Sequence, residues 1–368
     1  MINVFGSKVG KEEIAHITES INNQWMGMGP KVKIFEKNFG DRLGLNNFLM
    51  VDSGSNALYL ACKMLDLPKG SEIILPSFTW VSCAQAVLLC GNIPVFCDVD
   101  YDTMNVTADT IKSRITEKTG AIMVVHYAGL PVEMNAILEL GFPIIEDAAH
   151  AVDSYCKNVA CGSIGDVGIY SFDSVKNLAA GEAGGITFKN KEDSAKAKVL
   201  RYCGIGKSGF EASTHGKKRW WEYDIVSYFI KMNPSDLSAG IGIAQLSKLD
   251  EMQNYRKKIW DIYQKEFYDF EWVVTPENAK KGDKHSYFTY VIRVDKRDEL
   301  AHYLFSKGIY TTLRYHPLHM NPIYKQTDVS LINSEKLNET ALSIPLHPSL
   351  SMEDVDYIVK TIKSFFTE

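Results

Sequence analysis

The chain has 368 residues, 45% of them apolar and 23% charged, ordinary proportions for a globular protein with a sizeable core. At about 150 residues per domain, that length suits one large and one smaller domain. Forty basic residues against 45 acidic ones leave a formal charge of −5, which gives no footprint for nucleic acid or an anionic membrane.

The amino-terminal stretch MINVFGSKVGKEEIAH has no basic segment leading into an apolar one. No apolar run nears the roughly 20 residues that span a bilayer. The seven cysteines (Cys62, Cys83, Cys90, Cys97, Cys156, Cys161 and Cys203) form no CxxC pair and lie mostly among apolar residues. They read as buried, reduced thiols of a cytoplasmic protein, with no metal-binding spacing.

From Asn47 to about Asn190, NFLMVD, SEIILP, NIPVFCDVD, GAIMVVHY, FPIIED, DVGIYSF and GGITF read as strands. Helix-period stretches lie between several of them: SNALYLACKMLD, TWVSCAQAVLL, TADTIKSRI and VEMNAILEL. In the first helix, Ala57, Leu58, Leu60, Ala61, Met64 and Leu65 recur at three- and four-residue spacing and mark one buried face. Continuously apolar strands alternating with helices predict an α/β fold, a mostly parallel sheet sandwiched by helices. Residues 203–235 mix glycine, charge and aromatics without a clean period. Beyond about residue 250 the chain reads as a long helix (QLSKLDEMQNYRKKIWDIYQKEF) and shorter strands (WVVTP, SYFTYVIRV, YTTLRYH). Two further helices, DELAHYLFSKG and MEDVDYIVKTIKSFF, complete a smaller carboxyl-terminal α+β domain. We therefore expect a large domain over 1–245 and a small one over 246–368.

In such sheets ligands gather at the carboxyl ends of strands, and three segments there carry chemistry. In VDSGSNAL, Ser53, Gly54, Ser55 and Asn56 open a helix, where free N–H groups and the helix dipole favour a phosphate. Such residues more often serve simply as caps. In PIIEDAAHA, Asp147 ends an apolar strand, with His150 three residues on. A carboxylate in that setting needs a cation, so Asp147 either holds a protonated heterocyclic nitrogen or caps a turn. In GIYSFDSVKNLAAGEAGG, Ser171 and Lys176 follow a strand. A loop lysine is usually solvated, but one held in a crevice beside another cation has a depressed pKa and forms Schiff bases. Together these segments supply what pyridoxal 5'-phosphate needs, with Trp80 of LPSFTWVSCAQA as an aromatic for the ring face.

Nearly end to end, the chain resembles the DegT/DnrJ/EryC1/StrS family of pyridoxal-phosphate sugar aminotransferases, of fold type I. SGSNAL is similar to the family's SGTAAL, and PSFTWVSCAQAV followed by GNIPVFCDVD matches its strand-to-helix block. EDAAHA, SFDSVKN (for SFHPTKN), GEAGG (for GEGGA) and LSIPLHPSLSMEDVDYIV continue the match in order. The resemblance makes Lys176 the residue that holds the cofactor aldehyde and Asp147 the partner of its ring nitrogen. It sets His150 near the phenolic oxygen, Trp80 against the ring, and Gly54, Ser55, Asn56 and Ser171 around the phosphate. An asparagine of the second subunit also reaches that phosphate in the family, and Asn233 in MNPSDLSAGIGIAQL is the best match, implying a homodimer with a shared site. Tyr315, His316 and His319 of LRYHPLHMNPIY are candidates for the sugar nucleotide, and Lys217, Lys218 and Arg219 for its diphosphate.

The implied reaction moves an amino group from L-glutamate to a keto sugar nucleotide, at C3 or C4 of a 6-deoxyhexose on dTDP, UDP or GDP. Amino-sugar or surface-glycan biosynthesis would be its setting. Two alternatives are a sugar dehydratase of the same fold, which carries His at the lysine position, and a regulatory protein without turnover. Asp173 departs from the family's usual His in the lysine motif.

Overall fold

The apolar runs of the first half do form strands, and their order brings the expected motifs to one edge. The computed structural model describes residues 1–206, 219, 221–324 and 329–367. Its strands are β1 (Leu49–Val51), β2 (Glu72–Pro76), β3 (Ile93–Cys97), β4 (Thr119–Val125) and β5 (Ile144–Asp147), then a short hairpin of β6 (Tyr155–Cys156) and β7 (Val159–Ala160). After them come β8 (Val167–Ser171), β9 (Gly184–Phe188), β10 (Tyr290–Arg293) and β11 (Ala341–Ile344). Seven make one sheet in the order β1-β9-β8-β5-β4-β2-β3. β3, β2, β4, β5 and β8 pair in parallel, and β9 runs antiparallel to both β8 and β1. Six strands thus point one way, and the loops after β1, β2, β4, β5 and β8 share one edge.

Helices Gly54–Met64 and Ser82–Leu89 pack with Lys191–Arg201 on one side of this sheet. The predicted apolar stripe holds: Ala57, Leu58, Leu60 and Ala61 are buried. The sequence pattern did not single out the helices Lys11–Asn22 and Pro30–Leu43. The second carries Phe35 and Phe39 into an aromatic cluster on the other side of the sheet. There the Phe39 ring lies 5.1 Å from Tyr170, 5.1 Å from Phe172 and 4.6 Å from Phe48.

The carboxyl-terminal third departs from the reading in two places. The long helix is two: Asp236–Ser247, capped by the Ser235 hydroxyl, and Leu249–Phe267. At Lys248 the N–H donates to the Gln245 carbonyl in a tight turn, and the Gln245 amide is drawn off to the Glu13 carboxylate. WVVTP and YTTLRYH are also not strands, since each contributes only one bridge, Val274 with Arg293 and Thr312 with Ser343. Pro276 lacks the N–H needed to extend the first; after Thr312 the chain leaves the sheet and carries Arg314 and Tyr315 inward. The regular pairing is antiparallel, β10 with β11. A separate core of residues from Ile259 to Ile362 packs around this pair.

The amino-terminal segment closes over the same region. The Ile2 N–H donates to the Gly308 carbonyl and the Tyr310 N–H to the Ile2 carbonyl, each at 2.8 Å. Among the described residues no helix is long and apolar enough to cross a membrane.

The aromatic cluster makes a stability prediction. Phe39 is fully buried, so Phe39→Ala should cost about 3–5 kcal/mol, read as a lowered chemical-denaturation midpoint at constant slope. A loss below about 1 kcal/mol would mean the cluster relaxes around the cavity.

Candidate active site

At the end of β5, the Asp147 side chain is buried. One oxygen accepts the Ala149 N–H at 2.9 Å and the other accepts the Cys83 thiol at 3.2 Å. Among the described residues it forms no ion pair. Burial pushes its carboxyl above the ordinary value; the Ala149 N–H, the Cys83 thiol and the charge of Lys176 pull the other way.

Lys176 lies in the loop after β8. The Asp173 carboxylate accepts the Val175 N–H (3.0 Å) and the Asp173 carbonyl accepts the Lys176 N–H (2.9 Å), folding the turn that presents the lysine. The departure from the family's His is thus a turn-capping residue here. The Lys176 ammonium sits 4.7 Å from the centroid of the Phe288 ring. Burial, then the nearby Arg314 guanidinium, draw the amine down to about 8.

His150 stacks on the same ring at 4.1 Å, and its Nε2 is 3.1 Å from the Tyr315 hydroxyl. Its Nδ1 is buried without a hydrogen-bond partner. Burial, Lys176 and Arg314 hold this imidazole well below its ordinary pKa, so it is neutral. Trp80, which follows β2, lies 5.4 Å from the Tyr315 ring and is 53% exposed.

At the start of the helix Gly54–Met64, the Ser53 hydroxyl accepts the Asn56 N–H, and the Asn56 amide donates to Asp52. This is the cap that the sequence allowed, yet the N–H groups of Gly54 and Ser55 have no acceptor among the described residues. A Cβ on Gly54 would lie 2.8 Å from that of Ser171, and one on Gly184 would lie 2.4 Å from the Ser53 carbonyl. Glycine at both positions is what lets the helix start close against β8 and β9. The Ser55 hydroxyl meets that of Ser82 at 2.7 Å.

The fold thus gathers Gly54, Ser55, Trp80, Asp147, His150, Ser171, Lys176 and Tyr315 along the carboxyl edge. The other candidates sit differently. His316 is exposed and bonds Asn338 at 2.8 Å. His319 is buried between the Ser77 hydroxyl (2.6 Å) and the Glu335 carboxylate (3.2 Å). Asn233 follows Met232, whose carbonyl accepts the Asp52 N–H, and its own Oδ1 is buried without a partner. Arg219 pairs with Glu222 at the surface; Lys217 and Lys218 lie outside the described residues.

Sequence reasoning missed Cys83, Phe288 and Arg314. Cys83 sits one helical turn past Trp80 in a segment already singled out, so its neighbourhood was legible. Phe288 comes from a distant strand approach and had no local signal. Arg314 stands beside Tyr315 in LRYHPLH, hidden because a charge in a loop is ordinarily solvated.

Comparison with known proteins places the chain in a family. The chain is 36% identical over 364 residues to a dTDP-4-dehydro-2,3,6-trideoxy-D-glucose 4-aminotransferase of Saccharopolyspora spinosa, covering 96% of this chain and 94% of that one. The crystal structure of the aminotransferase TlmJ from Streptoalloteichus hindustanus superposes with a TM-score of 0.94 at 35% identity, covering 100% of this chain and 99% of that one. A putative sugar aminotransferase from Streptococcus pneumoniae, Spr1654 in its PMP form, gives 0.93 at 27% identity over 99% and 98% of the two chains. The family profile matches residues 7–363, and the protein belongs to the DegT/DnrJ/EryC1/StrS aminotransferase family.

Proposed function

We propose that this sugar aminotransferase takes its amino group from L-glutamate and delivers it to a 3- or 4-keto-6-deoxyhexose carried on dTDP, UDP or GDP. One observation supports this reading above the rest: a buried carboxylate without a cation and a lysine with a depressed pKa share one crevice at the strand ends.

The residues fit pyridoxal phosphate. Asp147 lacks the positive charge that a protonated ring nitrogen would supply, and Cys83 and the Ala149 N–H fix the carboxylate's orientation. The vacant amides of Gly54 and Ser55, with the Ser55 and Ser171 hydroxyls, suit a phosphate. The orphaned His150 Nδ1 suits an oxygen acceptor, and Trp80 offers an open ring face. When bound, the cofactor supplies an electron sink for negative charge at the substrate α-carbon. Lys176 Nζ, lowered to about 8, would take the proton from that carbon and return it to the carbon on the far side of the nitrogen. Asp147 keeps the ring nitrogen charged throughout. A lysine at 176 speaks against the dehydratase alternative, and these intact groups against a regulatory protein without turnover.

We further propose a cytoplasmic homodimer, with residues 246–368 as its smaller domain. Tyr223, Ile225, Val226 and Tyr228 are all more than half exposed, a run of apolar surface next to Asn233 that a second subunit would cover. His316 and Arg219 would then join the substrate only from outside the crevice.

Three outcomes test this reading. Borohydride treatment of protein mixed with pyridoxal phosphate should label a peptide containing Lys176. The yield should rise as the ammonium loses its proton and be half-maximal near pH 8, against about 10.4 for a solvated lysine. Equal labelling of Lys176→Ala would remove the assignment. Asp147→Ala should lower the rate of amino transfer from glutamate roughly 10²–10³-fold, as for the loss of one preorganised charge; an unchanged rate would sink its role. Light scattering should give twice the chain mass of 41.3 kDa, and a fully active monomer would rule out the shared site.

A further inference from the structure

Four arginines are buried among the described residues, and three have their charge answered within the chain. Arg201 pairs with Glu36 at 2.6 Å and Arg293 with Asp102 at 2.6 Å. Arg256 donates to the carbonyls of Leu346, Phe288 and Tyr287. Arg314 has neither an acid nor a carbonyl. Its guanidinium lies 4.7 Å from the centroid of Phe5 and 4.8 Å from that of Phe288, and its one hydrogen bond is a long 3.5 Å contact to the Tyr315 hydroxyl.

Aromatic rings offset a cation only in part, and a buried charge left unpaired is costly. A guanidinium presents five N–H donors in a fork shaped for two carboxylate oxygens. Here that fork belongs to a buried residue and lies at the side of Phe288, the ring that also carries the Lys176 ammonium at 4.7 Å. The residues suited to the cofactor phosphate, Gly54, Ser55 and Ser171, do not touch it. What must arrive beside Lys176 in every amino transfer is an amino acid, whose carboxylate no acceptor-binding residue yet accounts for.

We propose that Arg314 is the carboxylate anchor of the amino donor, its guanidinium closing on the donor's carboxylate while the donor nitrogen replaces Lys176 at the cofactor. The assignment rests on the aminotransferase reading above. It explains why this buried arginine, unlike the other three, has neither an acid nor a carbonyl within the described residues, since the acid that completes it enters with the substrate. The charge is held in place between Phe5 and Phe288, so little ordering remains when the carboxylate binds.

The test uses the cofactor-loaded protein and two variants, Arg314→Gln and Arg314→Lys. The L-glutamate concentration needed for half-maximal conversion of the cofactor absorbance should rise about 30-fold or more in Arg314→Gln, as when one partner of a buried charge pair is lost. Arg314→Lys keeps the charge without the fork and should lose about 10-fold. Calorimetric binding of glutarate, which has no amino group to react, should weaken in parallel. Without donor, the melting temperature of Arg314→Gln should be no lower than wild type, because no ion pair is removed. L-alanine separates the two carboxylates of glutamate: equal weakening assigns the α-carboxylate, and weakening for glutamate alone the distal one. Unchanged affinity for glutamate and glutarate in either variant would overturn the proposal. Wild-type protein inert to glutamate would instead overturn the choice of glutamate as the donor, so the two failures are distinct.

Discussion

A buried carboxylate without an ion-pair partner among the described residues is the constraint around which this molecule is arranged. Asp147 stays buried because Cys83 and the Ala149 N–H satisfy its oxygens, yet neither neutralises it. The amine of Lys176 faces the opposite difficulty, since burial and Arg314 both disfavour its charge. Under the function proposed above, a single heterocycle with a basic nitrogen and an aldehyde would answer both.

The fold produces that arrangement through strand direction. Six strands of the main sheet point the same way, so segments far apart in the chain end on one line: Ser53 after β1, Trp80 after β2, Asp147 at β5 and Lys176 after β8. Close approach does the rest. Gly54 and Gly184 leave no side chain between the helix start and its neighbouring strands, and that proximity sets Ser55 and Ser171 about a common space. Segments flanking the small carboxyl-terminal sheet contribute the outer wall, with Phe288, Arg314 and Tyr315 reaching back toward His150.

How much of this was legible in sequence follows from where each residue's environment comes from. All seven strands of the main sheet were visible, because continuous apolar runs such as IMVV and PIIED have no other stable use when helices intervene. Asp147, Lys176 and Gly54 were legible for a related reason: each ends or follows such a strand, and strand ends have predictable geography. Arg314 and Phe288 were opaque because their meaning lies in contacts with segments distant in the chain, Phe5 for the one and His150 and Lys176 for the other. The break at Lys248 was missed because helical periodicity continues across it, while the contacts of Gln245 and Lys248 with Glu13 come from a segment far away in the chain. His316 and His319 show the limit of motif reading at single-residue scale, since neighbours on an irregular segment point in three directions.

The stretch from Ile2 to Gly6 adds a further consequence. It runs along the edge of the small domain, with Val4 buried, the Phe5 ring beneath the Arg314 guanidinium and Gly6 pressed on His347. One wall of the candidate site is therefore supplied by a strap that shares no sheet with the rest of it. A protease nick or a bulky label there would disturb the candidate site without touching Asp147 or Lys176.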